Sequence, residues 1–174
     1  MATLPVLRFP HPLLKQQAQP VTRFDAELKR LAEAMLRTMY AEGGIGLAAN
    51  QVGQLRRLIV VDLKNGSEAE GQPPVREPHF YINPRILDGS GELVTEEGCL
   101  SVVDFRAEVK RCQRVTVEYQ SLTGEPQQAE MQDMAAVCLQ HEIDHLNGKL
   151  FIDHLPPLKR QMIKKRLIKL QRTA

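Results

Sequence analysis

The sequence predicts an α+β fold in which mixed, mainly antiparallel sheets pack around a central helix, with one further helix near each end of the chain. Apolar residues recur at spacings of three and four over residues 22–40 and 158–170, which is typical of amphipathic helices. Residues 134–146 are apolar over much of the helix circumference and predict a buried, central helix. Apolar or alternating runs predict strands over residues 57–63, 80–87, 106–119 and 127–132.

Length and composition suit one domain over residues 1–174 with a single core. The chain is 43% hydrophobic and 25% charged, which is ordinary for a globular protein. It has no apolar run near the roughly 20 residues that span a membrane, and no secretory signal pattern at its N-terminus. Its three cysteines show no pairing pattern, which favours a reducing compartment, the cytoplasm, where a cysteine can serve as a metal ligand.

The predicted elements of the N-terminal half have recognisable boundaries. Proline-rich residues 3–21 predict an extended arm that lies on the body of the protein. Thr22 is the predicted N-cap of the first helix, with Asp25 three residues on, and Gly43-Gly44 ends that helix. Asn83-Pro84 interrupts a later strand, so we expect an edge strand or a bulged one, because proline lacks the N–H that a sheet needs.

The remaining chain divides in the same way. Residues 64–78 predict a polar loop, and the alternation over residues 106–119 fits one or two antiparallel strands. Asp133 is the predicted N-cap of the central helix, which Asn147-Gly148 ends. The last helix lies within residues 156–174, which hold seven of the 23 basic residues and none of the 21 acidic ones. A solvated basic face is the ordinary interpretation, and binding to a polyanion is the alternative.

The central helix carries the pattern H-E-x-x-H in His141, Glu142 and His145. Residues four apart on a helix lie about 40° apart around its axis, so both imidazoles can bind one metal ion. Glu142 lies beside that face and can act as a general base on water without being a ligand. Because the helix is predicted to be buried, these three polar side chains need partners, which metal binding would supply.

Two other residues are ambiguous when each is taken alone. A lone cysteine such as Cys99 is usually a small buried apolar residue, but the H-E-x-x-H pattern favours a thiolate ligand from a separate element. Gln51, taken alone, is an ordinary surface glutamine. The preceding G-x-G-x-x-A pattern of residues 44–49 is no dinucleotide fingerprint, because it follows a helix and precedes a strand instead of the reverse.

Three stretches taken together closely resemble the signature motifs of the peptide deformylase family. They are residues 44–51 (Gly-Ile-Gly-Leu-Ala-Ala-Asn-Gln), 97–101 (Glu-Gly-Cys-Leu-Ser) and 140–146 (Gln-His-Glu-Ile-Asp-His-Leu), in the family's order and rough separation. With the proline-rich arm, the resemblance covers most of the chain. It implies a metallohydrolase that removes the formyl group from the N-terminal formyl-methionine of newly made polypeptides.

The resemblance also implies roles for individual residues. Cys99, His141 and His145 would bind one divalent metal ion, expected to be Fe(II) in the cell, with Zn, Ni or Co able to occupy the site in a purified sample. Glu142 would be the general base for metal-bound water. The oxyanion would be stabilised by the Gln51 amide and the Leu100 backbone N–H. Substrate would be bound by Ile45, Gly46 and Gly98 through an extended peptide backbone, and by Cys138 at the methionine pocket.

The same resemblance names partners, and two alternatives remain open. The basic segment 156–174 resembles the segment by which some bacterial members dock on the ribosome, so the expected partners are formyl-methionyl peptides and the ribosome, without a membrane. A general zinc endopeptidase is the first alternative, although His154 lacks the usual spacing for its third ligand. A ribosome- or RNA-binding protein with a structural metal is the second, although such sites more often have four protein ligands.

Overall fold

The computed structural model describes residues 2–65, 71 and 75–172, and within them it confirms the α+β prediction. A five-stranded sheet has the strand order β1-β2-β3-β6-β7, and β4 and β5 form a second sheet; all neighbouring strands are antiparallel. The helices are α1 (Ala26–Ala41), α2 (Met134–Leu146) and α3 (Pro157–Arg172), and the strands are β1 (Gly46–Ala48), β2 (Leu58–Val61), β3 (His79–Ser90), β4 (Leu93–Cys99), β5 (Val102–Arg111), β6 (Arg114–Gln120) and β7 (Pro126–Gln132).

Strand β2 lies between two helices, which explains why all four of its residues are apolar. Side chains alternate between the two faces of a strand. Leu58 and Val60 therefore join the core cluster of α1, whereas Ile59 and Val61 join the cluster of α2. All four are at most 3% exposed. Burying a side chain of this size stabilises the fold by about 1.5–3 kcal/mol, so β2 anchors both helices to the sheet.

Helix α1 begins later than predicted, and Thr22 as its N-cap was wrong. The N-cap is Asp25, whose carboxylate accepts a hydrogen bond from the Leu28 N–H at 3.0 Å. The chain before it is held out of the helix by Asn83, whose side chain accepts from the Val21 N–H at 2.8 Å and donates to the Val21 carbonyl at 2.9 Å. A hydrogen bond between residues 62 positions apart therefore decides whether Thr22 or Asp25 is the N-cap of the helix.

Strand β3 is bulged, as one of the two alternatives had it, but it is not an edge strand. It lies in the middle of the five-stranded sheet, between β2 and β6. Its register with β6 shifts between Ile82 and Arg85, and Asn83 adopts a left-handed backbone with φ of 51°. Because the bulge interrupts the ladder there, the missing N–H of Pro84 breaks no regular pairing, and proline is tolerated inside the sheet.

The two-stranded sheet, α3 and the N-terminal arm contribute to a further hydrophobic cluster. Ile163 and Leu167 of α3 pack in one cluster with Phe9 of the arm, Val109 of β5 and Phe151. The alternation over residues 106–119 proved to be two strands, but β5 and β6 belong to different sheets.

The predicted polar loop, residues 64–78, falls partly outside the described residues. None of the helices in the described ranges is long and apolar enough to cross a membrane.

Candidate metal centre and active site

Helix α2 presents His141, Glu142 and His145 from the middle of the protein. It ends at the predicted place, with Asn147 as its C-cap and Gly148 at φ of 76°. Asp133 stands at the N-cap position, but its side chain makes no cap hydrogen bond and accepts instead from Gln113 Nε2 at 3.3 Å. Eight of the 13 helix residues are buried, as expected for a central helix that contacts β1, β2, β3 and β7.

Three predicted ligands converge at one point. The donor atoms of Cys99, His141 and His145 all lie within 4.8 Å of one another. Cys99 Sγ is 3.4 Å from His145 Nε2, and the two histidine Nε2 atoms are 3.2 Å apart. Tetrahedral coordination of one metal ion would separate two such nitrogens by about 3.3 Å and nitrogen from sulfur by about 3.6 Å. These two separations fit tetrahedral coordination of one metal ion, which leaves a fourth position for another ligand.

The electrostatics also favour a cation where these atoms meet. Burial opposes protonation of His141, but the hydrogen bonds that its ring donates to Cys99 and Glu97 outweigh burial and raise the pKa of His141 to about 10. Burial and the neighbouring His141 hold the pKa of His145 well below its usual range, so that imidazole is neutral. The negative charge of Glu97 therefore stabilises a positive charge on His141, and a divalent metal ion would supply positive charge at this point with both imidazoles neutral.

Glu97 fixes the orientation of His141. Its Oε1 lies 2.8 Å from His141 Nδ1, so a proton on Nδ1 leaves the Nε2 lone pair free for the metal. Arg111 holds Glu97 in turn, donating from Nε at 2.7 Å and from Nη2 at 2.9 Å. Burial raises the pKa of Glu97, but the hydrogen bonds from Arg111 and His141 outweigh it and lower that pKa below its usual value, so Glu97 is a carboxylate.

Glu142 is buried beside the three donor atoms. It is 3% exposed, and its Oε1 lies 3.7 Å from His141 Nε2. Its Oε2 has no hydrogen-bond partner among the described residues. Burial raises the pKa of Glu142 to about 7, so this carboxyl group can exchange a proton near neutral pH.

Gln51 reaches the same place from a different element, and the surface-glutamine interpretation was wrong because the side chain is 1% exposed. It lies in a 3₁₀ turn, Ala49–Val52, directly after β1. Its Oε1 accepts from the Ala48 N–H at 2.9 Å, which turns Nε2 towards Cys99 Sγ at 3.5 Å and Ser101 Oγ at 3.1 Å. An amide donor is thereby aimed at the metal centre.

A cavity of about 370 Å³ opens onto these groups. Every predicted site residue lines it except His145, which is 1% exposed and lies behind the others. Two glycines let the backbone pass close to side chains that line the cavity: a Cβ on Gly46 would lie 3.1 Å from both Cys138 Sγ and Glu142, and a Cβ on Gly98 would lie 2.8 Å from a guanidinium nitrogen of Arg106.

The N-terminal arm braces both loops that carry site residues, which confirms the prediction that it lies on the body. The Leu7 N–H donates to the Gln51 carbonyl at 2.7 Å, and the Phe9 N–H donates to the Ser101 carbonyl at 2.8 Å. The arm also includes a short 3₁₀ turn, Pro12–Lys15.

Sequence reasoning missed the supporting residues Glu97, Arg111 and Ser101. A signal for the first two existed: Arg111 lies in phase with buried Ala107 and Val109 on β5, so its side chain had to point inwards. A charged side chain on the inner face of a strand requires an opposite charge nearby. Glu97, on the facing strand, supplies that charge.

With the geometry established, comparison with known proteins places the chain in a family. The sequence model described as polypeptide deformylase matches residues 3–161. The chain belongs to the peptide deformylase family. The peptide deformylase of Brucella suis biovar 1 is 48% identical over 171 residues, covering 98% of this chain and 94% of that protein. Peptide deformylase 1 of Shewanella oneidensis is 49% identical over 169 residues, covering 97% and 96%.

Solved peptide deformylase structures have the same fold. That of Legionella pneumophila superposes with a TM-score of 0.87 at 41% identity, covering 99% of this chain and 97% of that one. That of Ehrlichia chaffeensis in complex with actinonin gives 0.89 at 35% identity, covering 99% of both chains. Peptide deformylases are metallohydrolases, so the chain is an enzyme of that class, as the three motifs implied. This membership favours a deformylase over both the zinc endopeptidase and the non-catalytic binding protein.

Proposed function

We propose that this peptide deformylase removes the formyl group from the N-terminal formyl-methionine of newly made polypeptides in the cytoplasm, with Glu142 as the general base. The observation that carries the proposal is the convergence of Cys99, His141 and His145 within 4.8 Å, next to a buried Glu142 with one unpartnered oxygen. A purely structural metal site would have no use for an unpartnered carboxylate directed at it.

Cys99, His141 and His145 would hold one divalent metal ion. The set of one thiolate and two imidazoles suits Fe(II) and Zn, as well as Ni and Co, and we propose Fe(II) as the ion in the cell. When bound, such an ion would polarise a carbonyl group and lower the pKa of coordinated water towards about 7. Because an accessible thiolate is oxidised readily, we expect the iron form to lose activity in air.

Glu142 and Gln51 have complementary tasks in this proposal. The carboxylate of Glu142 takes the proton of the attacking water and returns it to the nitrogen of the departing methionine, which leaves formate and a free amino group. Gln51 Nε2 and the Leu100 backbone N–H donate to the oxygen of the formyl group as it becomes negatively charged. The orientation of the Gln51 amide by the Ala48 N–H supports this task, and losing one such donor typically costs about 10²–10³ in rate.

Substrate would bind as an extended chain between β1 and β4. Among the described strands, β1 pairs only with β2 and β4 only with β5, so each has an edge on which a peptide can add main-chain hydrogen bonds. Ile45 and Gly46 would contact the substrate backbone on one side and Gly98 on the other. Cys138 lines the cavity and would contact the methionine side chain; its pKa is raised well above the usual value by burial, so it is a neutral, apolar wall.

The first experiment is a formate-release assay on protein purified without oxygen. We expect one metal ion per chain and formate release from formyl-Met-Ala-Ser. Glu142→Gln should keep the metal and lose about 10²–10⁴ in kcat, whereas Glu130→Gln, on the exposed part of β7, should not change it. Metal binding without formate release in the Fe, Ni and Co forms, or cleavage of internal peptide bonds, would count against the proposal. Normal turnover in Glu142→Gln would remove the general-base role alone.

We also propose that the basic face of α3 binds the ribosome, whose phosphate groups suit a helix with seven basic residues and no acidic ones in its segment. Deleting the helix is a poor test because Ile163 and Leu167 are buried in the core. Reversing the charge of exposed Lys165 and Arg166 should weaken co-sedimentation with ribosomes and leave formate release unchanged. The control variant reverses the charge of exposed Lys29 and Arg30 on α1. If both variants co-sediment with ribosomes equally well, the basic face of α3 does not bind the ribosome.

A further inference from the structure

A continuous line of hydrogen bonds runs from the protein surface to the metal centre. His154 Nε2 lies 2.8 Å from Asp144 Oδ2, and Arg111 Nη1 donates to the same oxygen at 2.8 Å. The other nitrogens of Arg111 donate to Glu97 at 2.7 and 2.9 Å, and Glu97 Oε1 meets His141 Nδ1 at 2.8 Å. No pattern in the sequence assigns a role to His154, and its side chain contacts neither the cavity nor a predicted ligand.

Burial decreases outwards along this line. The side chains of Arg111 and Glu97 are 4% and 6% exposed, that of Asp144 is 21% exposed and that of His154 is 38% exposed. Arg111 is therefore a buried guanidinium held between two carboxylates. Its position on the Glu97 side depends on how firmly Asp144 is held on the other side, because one rigid planar group joins the two.

His154 belongs to a segment that touches the metal centre a second time. It ends the 3₁₀ turn Phe151–His154, which follows α2. The ring of Phe151 stacks on the ring of His141, with centroids 6.2 Å apart and planes at 22°. Phe151 is 1% exposed and cannot move without disturbing the core. The turn therefore contacts the imidazole of His141 in two ways. Phe151 packs on the face of the ring, and His154 is connected to its Nδ1 through the line of hydrogen bonds.

We propose that His154 is a positioning residue of the metal centre: by holding Asp144, it fixes Arg111 and Glu97 and so the orientation in which His141 presents Nε2 to the metal. This inference rests on the proposed metal site. A ligand imidazole that can turn about its ring axis spends time with Nε2 displaced from the metal, and the metal leaves faster. The role of His154 is thus to slow metal loss, and it takes no part in the chemical step.

The hydrogen bond between His154 and Asp144 requires a donor at the position of Nε2. It does not require a positive charge, because a neutral imidazole with its proton on Nε2 also donates to a carboxylate. The amide nitrogen of glutamine lies the same number of bonds from Cα as Nε2 of histidine. His154→Gln can therefore restore the hydrogen bond to Asp144, whereas His154→Ala cannot.

The test measures metal loss from the holoenzyme loaded with Co(II), whose thiolate-to-cobalt absorption reports the intact site. Removing a direct partner of a metal ligand typically costs 10–100-fold in affinity. For a residue farther out, we expect His154→Ala to lose Co(II) to excess EDTA about 3–10-fold faster than the wild type. We expect His154→Gln to stay within about twofold of the wild type. His79→Ala removes another exposed histidine paired with a carboxylate and should match the wild type.

The outcomes separate this inference from the proposed function. A wild-type rate of Co(II) loss in His154→Ala would overturn the positioning role, as would an equally fast loss in His154→Gln. A wild-type protein without the thiolate-to-cobalt band would instead overturn the metal site itself. A role in general stability would lower the unfolding temperature of His154→Ala without changing the rate of Co(II) loss at 25 °C, and that result would also contradict the inference.

Discussion

Arg111 offers a direct measurement of what a buried charge contributes to this fold. Its guanidinium is 4% exposed and makes three charge-assisted hydrogen bonds of 2.7, 2.8 and 2.9 Å to Glu97 and Asp144. Replacing it with methionine keeps much of the side-chain volume but leaves two carboxylates without their cation. Removing one partner of a buried ion pair typically destabilises a protein by about 3–5 kcal/mol.

The chain contains a matched control on its surface. Arg85 and Glu118 form an ion pair of 2.8 Å, with side chains 69% and 46% exposed. An exposed pair contributes only about 0.2–1 kcal/mol because water solvates both partners after it is broken. The substitutions Arg111→Met and Arg85→Met therefore remove the same group at similar separations, but Arg111 is buried and has two carboxylate partners, whereas Arg85 is exposed and has one.

Thermal unfolding of the protein treated with chelator measures the difference without a contribution from metal. For a chain of this length, 1 kcal/mol shifts Tm by about 2–4 °C. We therefore expect Arg111→Met to lower Tm by about 6–20 °C and Arg85→Met by less than about 4 °C. Equal shifts in the two variants would refute the reasoning, since burial would then have no effect on the value of the pair.

Three further changes have expected outcomes. Gly46→Ala places a Cβ 3.1 Å from side chains of α2 and should lower kcat/KM for formyl-methionyl peptides about 10–100-fold, with Tm almost unchanged. Leu167→Ala, in the core, should cost about 2–5 kcal/mol of unfolding free energy in urea titration, whereas Leu158→Ala, 83% exposed on the same helix, should cost almost nothing. Tyr40→Phe removes a hydrogen bond to buried Asp62 and should cost about 1.5–3 kcal/mol at pH 7. Burial and this hydrogen bond raise the pKa of Tyr40 to about 12, so the extra unfolding free energy of the wild type is complete below pH 10 and should vanish as the pH rises through about 12. A difference in unfolding free energy between wild type and Tyr40→Phe that stays constant over that pH range would contradict the role of this hydrogen bond.

The sequence was most informative where local pattern and burial agree. The apolar circumference of residues 134–146 and the stop at Asn147-Gly148 predicted α2 closely, and the spacing of His141 and His145 needs only helix geometry to bring them together. At Asn83-Pro84 the missing N–H of proline predicted either a bulge or an edge strand, and the bulge proved correct whereas the edge position was wrong.

What the sequence could not predict depends on contacts between distant residues. Thr22 and Asp25 are both good caps, and only the hydrogen bonds from Asn83 to Val21 exclude the first. Gln51 looks like a surface residue until β1 and the hairpin of Cys99 are packed together. Local rules carry no information about such pairings, because they depend on which elements become neighbours in the finished fold.

The N-terminal arm has a consequence for the order in which this enzyme folds. Phe9 of the arm donates a backbone hydrogen bond to Ser101, and Cys99 contacts His145, which lies 46 residues later in the sequence. The site is therefore built from contacts between widely separated parts of the chain. Closing such long loops costs chain entropy before any favourable contact has formed, so these contacts form slowly. Helices α1 and α2 can therefore appear early in refolding, whereas the ability to retain a metal ion should be among the last native properties to return.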